Sequence, residues 1–132
     1  MSSGMRTKSF ERLAIAFAGL NIRIDCSDRD LFEFLALNFE GMQRFGQRID
    51  LGYIIDSNAA AAGFTISRSD GEFRSSAQHA GELVYLLEGD IVVQSQLLRP
   101  NLLFLHSAVI SENGVAHLIT GRSGAGKSTT CW

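Results

Sequence analysis

The sequence predicts an α/β chain of the mixed α+β kind: a mixed sheet with hairpins and two helices, leading into a glycine-rich loop. Three observations carry this. Apolar and polar residues alternate in short runs, as in Ile22-Arg23-Ile24-Asp25-Cys26, which is the period of a half-buried strand. Two other stretches repeat their apolar residues every three or four positions, as amphipathic helices do. Asp-Gly and Asn-Gly steps fall between runs, where tight turns need them. The predicted order is β-β-α-β-β-β-α-β-β-loop, in one domain of ordinary size spanning 1–132.

Residues 1–8 are polar and expected to be disordered. Residues 10–26 read as two strands joined around Ala18-Gly19-Leu20-Asn21. Ser27 reads as a helix N-cap, with Asp28 and Asp30 in the first turn, where the helix dipole favours negative charge. Leu31, Phe34, Leu35, Asn38 and Phe39 then recur at helical spacing, and Gly41 is the predicted stop. Phe32, Phe34 and Phe39 read as core packing, with ligand stacking the lesser alternative. Residues 49–56 and Gly63–Arg68 read as strands, and Ser69-Asp70-Gly71-Glu72 turns the second into Phe73-Arg74-Ser75. The run 58–62 stays open between a loop and a short helical turn.

Residues 82–98 read as a second helix with Leu83, Leu86, Leu87, Ile91 and Leu98 on its apolar face. Gly89 inside it costs about 1 kcal/mol relative to alanine, and Pro100 marks its end. Residues 102–110 are predicted as an apolar strand. Ser111-Glu112-Asn113-Gly114 supplies a hairpin turn, and Val115–Thr120 returns as the strand feeding the final loop.

Hydrophobic residues make up 45% of the chain and charged residues 20%, the balance of a folded globular protein. A net charge of −2 gives no bulk electrostatic reason to bind nucleic acid or a membrane surface. Basic Arg6, Lys8 and Arg12 precede the apolar run 13–18, as in a signal peptide. That run is followed at once by Asn21, Arg23 and Asp25 and lacks a small-residue cleavage site, which argues against export. No apolar run approaches the roughly 18 residues that span a membrane.

The chemistry is concentrated in the last dozen residues, Gly121-Arg122-Ser123-Gly124-Ala125-Gly126-Lys127-Ser128-Thr129-Thr130-Cys131-Trp132, which contain the G-x-x-x-x-G-K-S spacing of a P-loop. Glycines let the backbone fold around an anion so that successive N–H groups point at it. The lysine of this motif reaches β- and γ-phosphates, and the hydroxyl after it ligates Mg²⁺. Gly121, Ser123, Gly124, Ala125, Gly126, Lys127, Ser128 and Thr129 are therefore the candidate nucleotide-binding residues, with ATP and Mg²⁺ the expected cofactors and Ser128 the candidate Mg²⁺ ligand. The alternative is a Gly/Ser-rich turn that matches by chance. Cys26 and Cys131 lie far apart without metal or redox spacing, and with a nucleotide motif this points to a reducing, cytoplasmic setting.

The segment Leu105-His106-Ser107-Ala108-Val109, then Asn113 to Thr129, resembles the HPr kinase/phosphorylase superfamily, and more closely its HPr-kinase-related branch. The match covers about the last fifth of the chain. There a helix precedes an L-H-small-small strand, a hairpin and a G-x-S-G-x-G-K-S-T loop. The resemblance implies the fold shared with phosphoenolpyruvate carboxykinases, and transfer of phosphate from ATP and Mg²⁺ to a protein serine or, in relatives, a small molecule. Arg122 stands where bifunctional members carry an acidic residue, so the resemblance does not extend to phosphorylase activity.

Family members place their catalytic acids after the loop helix, so the chain is expected to be an N-terminal portion of such a kinase and catalytically incomplete. Apolar surface left uncovered would then invite self-association. Asp50, Asp56, Asp90 and Glu112 read as strand-end, turn or solvated residues. His79 reads as a surface histidine. His106 and His117 read as strand histidines, with contact to the phosphate site the alternative, strongest for His106. Arg122 reads as solvated, with a phosphate-facing role the alternative. A non-catalytic nucleotide-binding or interaction module with a vestigial loop is the competing function.

Overall fold

A computed structural model describes residues 9–44, 46, 48–58 and 62–131. Its elements follow the predicted order: β1 (Glu11–Phe17), β2 (Leu20–Cys26), α1 (Arg29–Asn38), β3 (Leu51–Asn58), β4 (Gly63–Arg68), β5 (Arg74–Ala77), α2 (Ala80–Leu98), β6 (Ser107–Glu112), β7 (Val115–Thr120) and a one-turn α3 (Lys127–Thr130). A short 3-10 turn covers Glu40–Met42. The expectations for residues 1–8, for 59–61 and for Trp132 lie outside the described residues. The chain divides between Arg99 and Pro100 into two compact units, each taken by itself below.

The first unit is a five-stranded sheet in sequential order β1-β2-β3-β4-β5. All its pairings are antiparallel except β2 with β3, which run parallel and are joined through α1. A parallel pair needs such a crossover, whereas the other strands close through tight turns. Ala18 (φ +50°) and Gly19 (φ +76°) make the β1–β2 turn, the left-handed pair whose twist matches a hairpin.

Strand alternation decides which side chains are buried. Leu13, Ile15, Ile22, Ile24, Tyr53, Ile55 and Ile66 share one face, where they form a core with Leu31 and Leu35 of α1 and Leu83, Leu87 and Ile91 of α2. Each such side chain contributes about 1.5–3 kcal/mol when fully buried. The opposite face carries Arg12, Arg23 and Asp25, with Arg12 Nε donating to Asp25 Oδ1 at 2.8 Å. Sequence periodicity therefore located both the core and the polar face of β2.

Several local expectations are corrected. Asp28 rather than Ser27 caps α1, its Oδ1 accepting the Leu31 N–H at 2.9 Å. Ser27 Oγ instead donates to Asp56 Oδ1 at 2.6 Å, tying the helix entry to β3. Gly41 does not stop α1, which ends at Asn38 because Phe39 turns into the core. Of the three phenylalanines, Phe39 is buried, Phe32 half-buried and Phe34 exposed. Strand β3 begins at Leu51, since Asp50 is occupied in accepting the Asn21 N–H at 2.9 Å.

Helix α2 starts at Ala80 and runs unbroken through Gly89 to Leu98. Ser95, rather than Leu98, completes its inner face, with the hydroxyl donating to the Ile91 carbonyl at 2.7 Å. Arg99 follows the helix and donates from Nε to the Ala18 carbonyl at 3.2 Å, with Nη2 donating to that of Gly19, which anchors the end of α2 to the β1–β2 turn.

Asp90, read from the sequence as a strand-end, turn or solvated residue, is half-buried on α2, with its side chain largely enclosed. Its carboxylate accepts from Arg68 Nη1 at 2.8 and 2.9 Å and from the Tyr53 hydroxyl at 2.7 Å. Arg68 Nε also donates to Asp70 Oδ2 at 2.7 Å. Burial, then the bond to Asp90, pushes the Tyr53 phenol well above its usual range. The Glu72 backbone N–H, then Arg68, holds Asp70 below the usual carboxylate range. Burial likewise raises the Cys26 thiol. Among the described residues no helix is long and apolar enough to cross a membrane.

Candidate functional site

The second unit begins with an irregular segment. The predicted strand 102–110 is shorter than expected, because β6 starts only at Ser107 and Leu102, Leu103 and Leu105 are exposed outside it. His106 is consequently not a strand residue but the last residue before β6, and it is exposed. Strands β6 and β7 pair from Ser107↔Thr120 to Glu112↔Val115. The turn is Asn113 (φ +51°) and Gly114 (φ +79°), the left-handed pair that a two-residue hairpin loop requires.

Strand β7 delivers the chain to the loop at Gly121. A Cβ on Gly121 would stand 3.4 Å from that of Ala125, an ordinary contact, so the conformational demand for glycine falls on later positions of the loop. Gly124 (φ +80°) and Gly126 (φ +81°) adopt the left-handed conformation that side chains resist. Between them the Ala125 N–H donates to the Arg122 carbonyl at 3.1 Å. Gly126 is the N-cap of α3, whose four residues are held by the Thr130 N–H and Oγ1, both donating to the Gly126 carbonyl at 3.0 and 2.9 Å.

Lys127 is the one buried residue of this unit among those described. Its ammonium is curled inside the loop, Nζ donating to the Gly121 carbonyl at 3.0 Å and the Arg122 carbonyl at 3.1 Å. A lysine so placed satisfies its charge on loop carbonyls and lies within the ring of residues that would surround a phosphate.

A cavity of about 390 Å³ opens over the loop, lined by His106, Ser123, Gly124, Gly126, Lys127, Ser128 and Thr129. Six of the eight predicted binding residues therefore meet in one place. Gly121 and Ala125 support the turn from outside the lining. The imidazole of His106 is added to them, as the alternative reading of this residue anticipated. The signal was its position just upstream of a hairpin that leads back to the loop. His117 lies exposed on β7 outside the lining, and Arg122 contributes its carbonyl to Lys127 without its side chain entering the cavity.

The set is chemically one-sided. It holds a cation, three hydroxyls, an imidazole and backbone amides, which suit an anion. Among the described residues no carboxylate lines the cavity. Among the described residues no group of three or more His, Cys, Asp or Glu side chains converges as a metal cage. Mg²⁺ does not require one, since it keeps several waters and takes one or two protein oxygens plus substrate phosphates. The exposed Ser128 hydroxyl fits that minor role. Asp50, Asp56 and Asp90 are each engaged within the first unit, by Asn21, Ser27 and Arg68 respectively.

Comparison of the chain with family models, with curated proteins and with solved structures finds no match.

Proposed function

We propose that this chain binds ATP with Mg²⁺ through the loop 121–129, as the phosphate-gripping part of a kinase related to the HPr serine kinases. The observation that carries this is the placement of Lys127, with its ammonium inside the loop and its neighbours Ser128, Thr129 and His106 on one cavity. The P-loop spacing, the hairpin that precedes it and the L-H-small-small segment are consistent with the carboxykinase-like fold that the resemblance implies.

In this reading the amides of residues 124–128 receive β- and γ-phosphate oxygens, and the Lys127 ammonium leaves the Gly121 and Arg122 carbonyls to join them. His106, which lines the same cavity, would donate a hydrogen bond to a phosphate oxygen. Mg²⁺, when bound, neutralises developing charge on the phosphates, with Ser128 as its protein oxygen. Two free cysteines and the nucleotide motif support a reducing, cytoplasmic setting.

A cavity lined by no carboxylate among the described residues favours a second reading, binding without transfer, because phosphoryl transfer also needs a base to position the acceptor. Calorimetric titration tests the binding that both readings share. Mg·ATP is expected to give saturable heat and adenosine none, since every predicted contact is to phosphate. Equal heats for the two, or none for ATP, would remove the proposal. Incubation of the chain with γ-labelled ATP and serine-containing protein then separates transfer from binding alone.

A further inference from the structure

A cavity of about 160 Å³ lies within the first unit, where β1, the 3-10 turn after α1 and the middle of α2 meet. It reaches the core, since Ile15, Phe39 and Ile91 line it and are only 1–4% exposed. Phe17 and Met42, both partly buried, extend the apolar wall. That wall is fixed in place. Gln43 Nε2 donates to the Ala36 carbonyl at 2.9 Å, and Gln43 forms an antiparallel bridge with Ile15. The turn that carries Met42 is thereby pinned to both α1 and β1. Interiors pack closely and keep few voids larger than a water molecule, so a chamber this deep calls for an occupant. Water is a poor one, because it needs several polar partners and the described lining offers a single polar side chain.

That side chain is Glu88, on α2. Asn38 Nδ2 donates to its Oε1 at 3.0 Å and so orients the carboxylate, while Oε2 has no partner among the described residues. Glu88 and Val92, one helical turn apart, are the exposed members of the lining, so the cavity opens to solvent beside the free oxygen. An apolar chamber with one oriented polar group is the usual design of a small-molecule site. We propose that this cavity binds a small aromatic amine, its ring among Phe17, Phe39 and Met42 and its ammonium donating to Glu88 Oε2. Three features select that chemistry. The volume matches the apolar cavities of roughly 150 Å³ that take one benzene-sized ring. Two phenylalanines and a thioether favour an aromatic ring over an alkyl chain. The carboxylate favours a cation, because a neutral arene leaves Oε2 unused and an aromatic acid opposes its charge.

Titration of the whole chain with phenethylamine, followed by calorimetry and by amide nuclear magnetic resonance, tests this without nucleotide. Binding is expected to saturate at one amine per chain and to shift the amide signals of Ile15, Phe39 and Ile91. Phenethyl alcohol, the neutral counterpart, is expected to bind about three- to tenfold more weakly, and the anionic hydrocinnamate at least about tenfold more weakly. Glu88→Gln keeps a partner for Asn38 and should lower the amine to the affinity of the alcohol. Val92→Phe, which fills the open side, should abolish binding of all three probes, whereas Val93→Phe, outside the lining, should leave it unchanged. Melting curves check that each variant folds, and Glu88→Gln alone decides the matter if Val92→Phe does not. No saturable binding of phenethylamine, equal affinity for hydrocinnamate, or an affinity that Glu88→Gln leaves unchanged would each overturn the proposal.

Discussion

Lys127→Ala is expected to weaken Mg·ATP binding roughly 10- to 100-fold, the equivalent of the ~1.5–3 kcal/mol carried by a hydrogen bond to a charged group. Mutation removes the one cation that lines the cavity among the described residues. It also frees the Gly121 and Arg122 carbonyls, but the residues that carry them are exposed and water replaces the ammonium. Fold stability should therefore change little while affinity falls. That split distinguishes a ligand-gripping lysine from one that merely holds the loop together. Lys127→Arg is not expected to rescue, because a planar guanidinium does not fit where a compact ammonium is enclosed by two carbonyls. Calorimetry on the three proteins checks the order, and thermal melts check that the loop variants still fold.

The second large effect is on stability. Asp90→Ala should destabilise the first unit by about 3–5 kcal/mol, the range for removing one partner of a buried ion pair. Arg68 and Asp90 are only 7% and 10% exposed at their side chains, so Coulomb attraction between them is weakly screened and an orphaned guanidinium is costly. Arg68 keeps Asp70, which places the expected value at the lower end. Tyr53 loses its acceptor in the same variant. Tyr53→Phe, by contrast, removes one neutral donor and is expected to cost about 1 kcal/mol. Replacing both partners, as Arg68→Met with Asp90→Leu, should cost less than Asp90→Ala alone, since no buried charge is left behind. Urea unfolding followed by far-ultraviolet circular dichroism measures all of these. An Asp90→Ala variant within 1 kcal/mol of wild type would show that the cluster is not a clamp between α2 and the sheet.

Much of this was legible in the residues. The order of elements followed from periodicity and turn chemistry, because β2, β4, β7 and the Asn113-Gly114 turn obey local rules without help from tertiary contacts. The loop residues were legible because a phosphate cradle needs glycine at fixed offsets from lysine. What escaped was decided by contacts distant in sequence. Asp90 reads as an exposed acid on a helix until Arg68, 22 residues earlier, is seen to reach it. A signal for it existed: Arg68 shares the inward parity of Ile66 on β4, so a buried cation needing a partner could have been inferred. Ser27 and Asp28 compete for one cap, and the bond of Ser27 to Asp56 on β3 separates them. The apolar neighbours of His106 predict a strand. Yet Leu102, Leu103 and Leu105 lie exposed before the hairpin, and that irregular path brings the imidazole to the loop.

The central claim, that the loop 121–129 grips nucleotide phosphates, is tested most directly by amide nuclear magnetic resonance of the labelled chain during titration with Mg·ATP. The expected result is that amide signals of residues 123–129 shift together and saturate at one ligand per chain. Those of the first-unit core, such as Ile24 and Leu87, should stay in place, and inorganic triphosphate should reproduce the loop shifts. Signals that stay still in the loop, or that move mainly in the sheet of the first unit, would contradict it.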